Sequence, residues 1–185
     1  MTTMDPVTGR LDTTPATDRL DLLAPSVAAA VTVLPDARVA AIDPDLADTA
    51  ALCAAYDLPM SSGANCVIVT GRRAGEERHA ACVVLASTRA DVNGLVRRRL
   101  DARKASFAST EFATRATGME YGGITPVGLP ADWLLLVDAA VVATPVVIVG
   151  SGLRRSKLVL PGAALLALPG AQTVEHLGRP AGTPP

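Results

Sequence analysis

The sequence predicts an α/β fold of the α+β kind, a mixed, strongly curved sheet flanked by helices. Three observations lead there. β-rich and helical stretches interleave along the 185 residues without a regular βαβ repeat. Hydrophobic residues make up 49% of the chain but aromatics only 3%, so small aliphatic side chains, Ala and Val above all, must build the core. Such a core suits a sheet covered by Ala-rich helices. Charged residues reach only 19% and form no long polar tract, which argues against disorder outside the two ends.

The elements follow in order. Residues 1–18, rich in Thr and Asp, read as a flexible tail, and residues 178–185 as a second one. A single domain is expected over 19–177. Leu20, Leu23 and Val27 fall on one face of a helix across 19–30. A short strand over 38–42 precedes Asp43-Pro44, an N-cap followed by proline at the first helical position, which opens a helix to about Tyr56. Runs 65–70 and 79–86, separated by Gly71-Arg72-Arg73-Ala74-Gly75-Glu76, form a hairpin signal. A helix over 91–100 ends in Arg97-Arg98-Arg99, where cations suit the dipole. A strand at 105–107 leads to a helix from Ser109 to just before Gly118. Strands at 134–137, 146–149 and 157–160, a short helix from Pro161 to Leu168, and a last strand at 172–175 complete the chain.

Composition excludes several functions. With a net charge of −1, bulk charge does not make this a general nucleic-acid binder, and no DNA partner is expected. Cys53, Cys66 and Cys82 lack Cys-x-x-Cys spacing, so they read as buried thiols in a reducing compartment. His79 and His176 have no His-Glu-x-x-His spacing, and no metal is expected. The N-terminal stretch has no apolar run of a signal peptide. The longest apolar run, 133–149, contains Asp138, Thr144 and Pro145, and is not read as a membrane span. The expected compartment is the cytoplasm.

The segment most informative about chemistry is Gly122-Gly123-Ile124-Thr125-Pro126. Two adjacent glycines permit positive φ and leave no side chain between backbone and ligand, while Pro126 stiffens the exit. Read alone, a Gly-Gly pair is also an ordinary tight turn. Gly150-Ser151-Gly152 follows a strand in a superficially dinucleotide-like way. Arg155 replaces the third glycine, and a strand rather than a helix follows, so no dinucleotide is expected. That turn reads either as a backbone nest lining the same pocket or as a plain hairpin turn. Asp138 is a strand-end residue suited to bonding backbone N–H groups.

This loop, together with Arg103-Lys104-Ala105-Ser106-Phe107-Ala108 upstream and Gly150-Ser151-Gly152 and Ser156-Lys157-Leu158 downstream, resembles the YbaK/EbsC family. That family comprises aminoacyl-tRNA deacylases related to the editing domain of prolyl-tRNA synthetases, and the resemblance runs from about residue 60 to 177. It implies hydrolysis of the ester joining a wrong amino acid to the tRNA 3′ end, with no cofactor. An aminoacyl-tRNA synthetase is a further partner in that setting. The family's Gly-x-x-x-Pro loop maps onto Gly122 to Pro126. Orientation and carbonyl polarisation can supply much of the rate for an activated ester, so no triad is needed.

The expected catalytic set is Gly122, Gly123 and Asn65. Thr125, Pro126, Gly150, Ser151, Gly152 and Asp138 are expected to bind substrate, and Arg154, Arg155 and Lys157 to contact tRNA. Active family members carry a lysine in the first hairpin strand, where this chain has Asn65. Asn keeps two N–H donors but loses the charge and some reach. Two readings therefore stand: a deacylase, or a non-catalytic module binding an aminoacyl-tRNA end, a nucleotide or a protein.

Overall fold

The computed structural model describes residues 8–180. A four-stranded antiparallel sheet, in the order β1-β2-β9-β8, is built from β1 (Thr13–Pro15), β2 (Arg38–Ala41), β8 (Val147–Gly150) and β9 (Ser156–Leu160). A five-stranded mixed sheet, in the order β10-β7-β4-β3-β6, uses β3 (Ala64–Arg73), β4 (Glu76–Leu85), β6 (Lys104–Phe107), β7 (Leu134–Asp138) and β10 (Ala171–Val174). In it β7 runs parallel to both β4 and β10, and the other pairs are antiparallel. Strands β5 (Thr88–Ala90) and β11 (Gly178–Pro180) pair separately. The expected single sheet is thus two principal sheets, joined by a parallel bridge between Gly63 and Ile148.

Period-two alternation distributes the side chains into three apolar layers. Val147 and Val149 of β8, with Leu158 and Leu160 of β9, face the main core, which also takes Ile68, Ala81, Val83 and Leu135 from the other sheet. On the outer face of the four-stranded sheet, Ile148 and Val159 pack beneath helix α2 (Thr49–Tyr56) with Leu52 and Cys53. On the outer face of the five-stranded sheet, Val69, Ala80, Cys82 and Leu136 pack on Val92, Val96 and Leu100.

The helices depart from expectation at their starts. The segment 19–30 splits into a tight turn, Leu20–Leu22, and α1 (Pro25–Ala30), with Pro25 opening the helix. Asp43 does cap a turn, accepting from the Asp45 N–H, but α2 begins later. There Asp48 accepts from the Ala50 and Ala51 N–H groups. Asp91 caps Val92–Val96, a wide first turn with a Val96 N–H to Asp91 carbonyl bond, which continues into α3 (Arg97–Arg99). Helix α4 (Thr110–Thr117) is capped by Ser109 and ends at Gly118, at φ +68°. The hairpin tightens to two residues, Ala74 and Gly75, both at positive φ, as a primed turn requires.

Both expected tails are corrected where they are described. Thr13–Pro15 pairs with β2, and Ala16–Asp18 forms a turn, because Ala16 is buried and its N–H donates to Ala37. Gly178–Pro180 pairs with β5. Residues 1–7 and 181–185 lie outside the described residues. Among the described residues no helix is long and apolar enough to cross a membrane.

Candidate functional site

Strand β3 has one edge along β4, and its other edge is shared. Pairing with β6 begins only at Val69, and contact with β8 is made at Gly63, so residues 65–67 between them have no strand partner on that edge among the described residues. That gap opens into a cleft of about 610 Å³. Its walls are the start of α2, the first residues of β3, the end of β8 and the loop after α4.

The loop is held by main-chain bonds to the β8–β9 turn. The Glu120 N–H donates to the Gly152 carbonyl (2.9 Å), the Gly152 N–H to the Gly123 carbonyl (2.7 Å), and the Gly123 N–H to the Glu120 carbonyl (2.9 Å). The Glu120 carboxylate accepts from the Arg154 N–H at 2.7 Å. Gly122 sits at φ +81°, a conformation that favours glycine, and thereby turns its backbone toward the cleft. The Arg154 guanidinium spans the rim, donating to the carbonyls of Tyr121 (3.2 Å) and Pro44 (3.1 Å).

At the floor lies Lys157. Alternation along β9 sends it to the same face as Val159, beneath the start of α2, where it is 7% exposed. Its Nζ donates to the Ala47 carbonyl at 2.9 Å and the Gly122 carbonyl at 3.4 Å. No carboxylate lies within ion-pair distance of it among the described residues. Burial pushes the ammonium below the usual lysine range, Asp48 pulls it back up, and Arg154 pushes it further down. Across the cleft, Asn65 is half-buried and its Oδ1 accepts from the Thr49 hydroxyl at 3.0 Å. Cys66 also lines the cleft, but burial drives its thiol far upward, and Cys82 is pushed up to about 12. Neither is a thiolate at neutral pH.

Of the expected site residues, the structure brings Asn65, Gly122, Gly150, Arg154 and Lys157 to the cleft. The others stand elsewhere. Gly123 uses both backbone groups to fasten the loop, so it presents neither to a ligand. Thr125 and Pro126 are buried behind the loop, and the Thr125 hydroxyl has no hydrogen-bond partner among the described residues. Ser151 is fully buried against Ser156, at 2.7 Å between hydroxyls, and Gly152 packs against Ala24. Arg155 donates to the Asp21 carbonyl at 2.8 Å, away from the cleft.

Asp138 caps helix α5 (Ala139–Val142) through the Ala140 N–H at 3.0 Å and also accepts from the Gly178 N–H. Asp138→Ala is therefore expected to cost about 1–3 kcal/mol of stability by orphaning two donors. Denaturant unfolding measures it. Lys157 also needs correction: with carbonyl partners in a buried floor, it is not placed to meet a stem phosphate. Sequence reasoning missed Asp45, Asp48, Thr49 and Tyr121, which also line the cleft. The Asp-Thr-Ala-Ala run at Asp48 is an N-cap signal, but Asp43-Pro44 drew the helix start five residues early.

The sequence profile of the aminoacyl-tRNA editing domain matches residues 43–168, a span that includes every wall of the cleft. Among solved structures, the chain is similar to a candidate trans-editing enzyme for prolyl tRNA synthetase, at 22% identity and TM-score 0.69, covering 82% of this chain and 94% of that one. It is also similar to hypothetical protein APE2540, at 22% identity and TM-score 0.67, covering 77% and 91%. These likenesses are of fold. A search of curated proteins found no relative of the chain. With the profile covering more than half of its residues, the chain belongs to the aminoacyl-tRNA editing domain family.

Proposed function

We propose that the cleft hydrolyses the ester between a mischarged amino acid and the tRNA 3′ end. The observation that carries this reading is Lys157. A buried ammonium, two of whose three N–H donors go to the Ala47 and Gly122 carbonyls, keeps one for a ligand in a cleft of about 610 Å³. A carbonyl oxygen that gains negative charge as water attacks is the ligand such a donor stabilises most. In the reaction a C–O bond forms to water and the acyl C–O bond to the ribose breaks. A proton from the water ends on the ribose oxygen. No side-chain nucleophile is needed, which agrees with the Cys66 thiol being held protonated.

Asn65, whose Oδ1 accepts from the Thr49 hydroxyl, offers its amide N–H groups on the opposite wall for the rest of the aminoacyl ester. The cytoplasm is where such a substrate is met. A deacylation assay over a panel of mischarged tRNAs tests the proposal, and no turnover above the spontaneous rate rejects it. Tight binding of an uncleaved aminoacyl-adenosine mimic would instead favour a non-catalytic module. Asn65→Lys is expected to lower kcat/KM about tenfold. It breaks the bond to Thr49 and adds a second ammonium to a cleft that already holds Lys157.

A further inference from the structure

Between Arg72 and Lys104 the chain carries nine of its seventeen cations against four carboxylates, in a protein of net charge −1. The fold gathers the ends of this stretch at one sheet edge. Strand β6 pairs on one side only, and its register sets Lys104 beside Arg72 and Phe107 beside Val69. Two adjoining hollows flank this edge, and Arg72, Arg103 and Lys104 line both, with Arg97 joining from α3's start. Arg72 is held by Glu77 in an exposed pair at 2.7 Å, and Arg97 donates to its own helix, at the Asn93 carbonyl. Arg103 and Lys104 are exposed and have no carboxylate within 4 Å among the described residues.

We propose that this edge binds the backbone phosphates of the tRNA acceptor stem, with Phe107 stacking an unpaired base between stem and cleft. The inference rests on the editing reading of the cleft and adds the surface that holds the rest of the substrate. Its geometry comes from β3. Asn65 lies in the cleft and Arg72 at the basic edge, seven residues or about 23 Å along the strand. The single-stranded 3′ end of a tRNA must cross a gap of that order to bring its terminal ester to the cleft while the duplex stays outside. Phe107 lies on the way, opposite Val69, and its ring is 57% exposed. An aromatic face offered to solvent beside a cationic groove is the arrangement that binds single-stranded bases without reading sequence. Arg154 and Arg155, which the sequence offered as tRNA contacts, are tied to carbonyls of the protein instead.

The test measures binding of uncharged tRNA across about 50–200 mM salt, which needs no catalysis. Arg103→Ala combined with Lys104→Ala is expected to weaken binding on the order of 10- to 100-fold at low salt. It should also flatten the dependence of log Kd on log salt by about two units. Phe107→Ala is expected to weaken binding about tenfold with the slope unchanged, because stacking releases no counterions. Arg115→Ala, which removes an exposed cation paired with Glu111 on α4, should leave the slope as it is. In turnover, the double variant should lose at least tenfold more on aminoacyl-tRNA than on aminoacyl-adenosine, which is too short to reach the edge.

A double variant with the parent's slope and affinity overturns the proposal. So does an Arg115→Ala variant that flattens the slope equally, since bulk charge would then explain the effect. A wild-type protein without salt-dependent tRNA binding also overturns it and leaves the edge to a protein partner. If tRNA binds through this edge but no ester is cleaved, the editing reading falls and the surface stands. If esters are cleaved while the double variant behaves as the parent, the surface alone falls.

Discussion

Lys157→Met is expected to lower kcat for aminoacyl-ester hydrolysis by about 100- to 1,000-fold, the range found when one preorganised donor to a developing oxyanion is removed. The same substitution should leave the unfolding midpoint unchanged or raise it. An ammonium in the floor, 7% exposed and with no ion pair among the described residues, is a charge taken from water and only partly compensated by two carbonyls. Replacing such a group with an apolar side chain of similar length removes that cost. Loss of activity without loss of stability separates a functional lysine from a structural one. A variant that unfolds as readily as it loses activity would make Lys157 a strut.

The pH dependence carries the same signature. Burial lowers the folded-state pKa of Lys157 below its unfolded value, so the unfolded chain holds the proton more tightly. Stability therefore rises as pH climbs from the depressed folded value to the ordinary lysine value, and is level below that window. Activity moves the other way, because the deprotonated amine cannot stabilise an oxyanion. Opposite trends of rate and stability in one alkaline window are expected in the wild type, and neither in Lys157→Met.

How much of this was legible beforehand depended on whether a signal was local. The hairpin 64–85, the Ser109 cap and Gly118 stop of α4, and the strands at 134–138 and 147–160 were written in alternation and turn residues. The Gly122 loop was marked by its adjacent glycines and Asn65 by the family resemblance, and both meet at the cleft. The division into two sheets was not legible, because alternation gives a strand's faces and never its neighbours. Lys157 shows the limit most clearly. Next to Arg154 and Arg155 it read as part of a tRNA-contacting basic cluster, yet one step of β9's alternation turns it inward beneath α2, onto the carbonyl of Ala47, 110 residues away in sequence. Strands β1, β5 and β11, three residues each, carry too short a pattern to announce themselves.

Gly150→Ala is expected to cost about 3 kcal/mol, lowering Tm by roughly 6–12 °C for a chain of this size, and to weaken substrate binding as well. The glycine has an ordinary φ, so strain in its own backbone is not the cause. A Cβ there would stand 2.5 Å from the Ile124 carbonyl oxygen and closer still to that of Gly123. Both obstacles are main chain, so no side chain can swing aside. Relief requires the loop to retreat from the β8–β9 turn, which stretches the two bonds that join Gly152 to Glu120 and Gly123. Gly122 moves with the loop and takes its carbonyl away from Lys157. Gly170→Ala supplies the contrast. Its φ is +72° but, among the described residues, nothing beyond its chain neighbours lies within 4 Å of the added carbon, so it should cost only about 1 kcal/mol of backbone strain and leave KM alone. If Gly150→Ala proved as mild as Gly170→Ala, close approach of loop and turn would not be what shapes the cleft. The positions of Gly122 and Lys157 would then need another source.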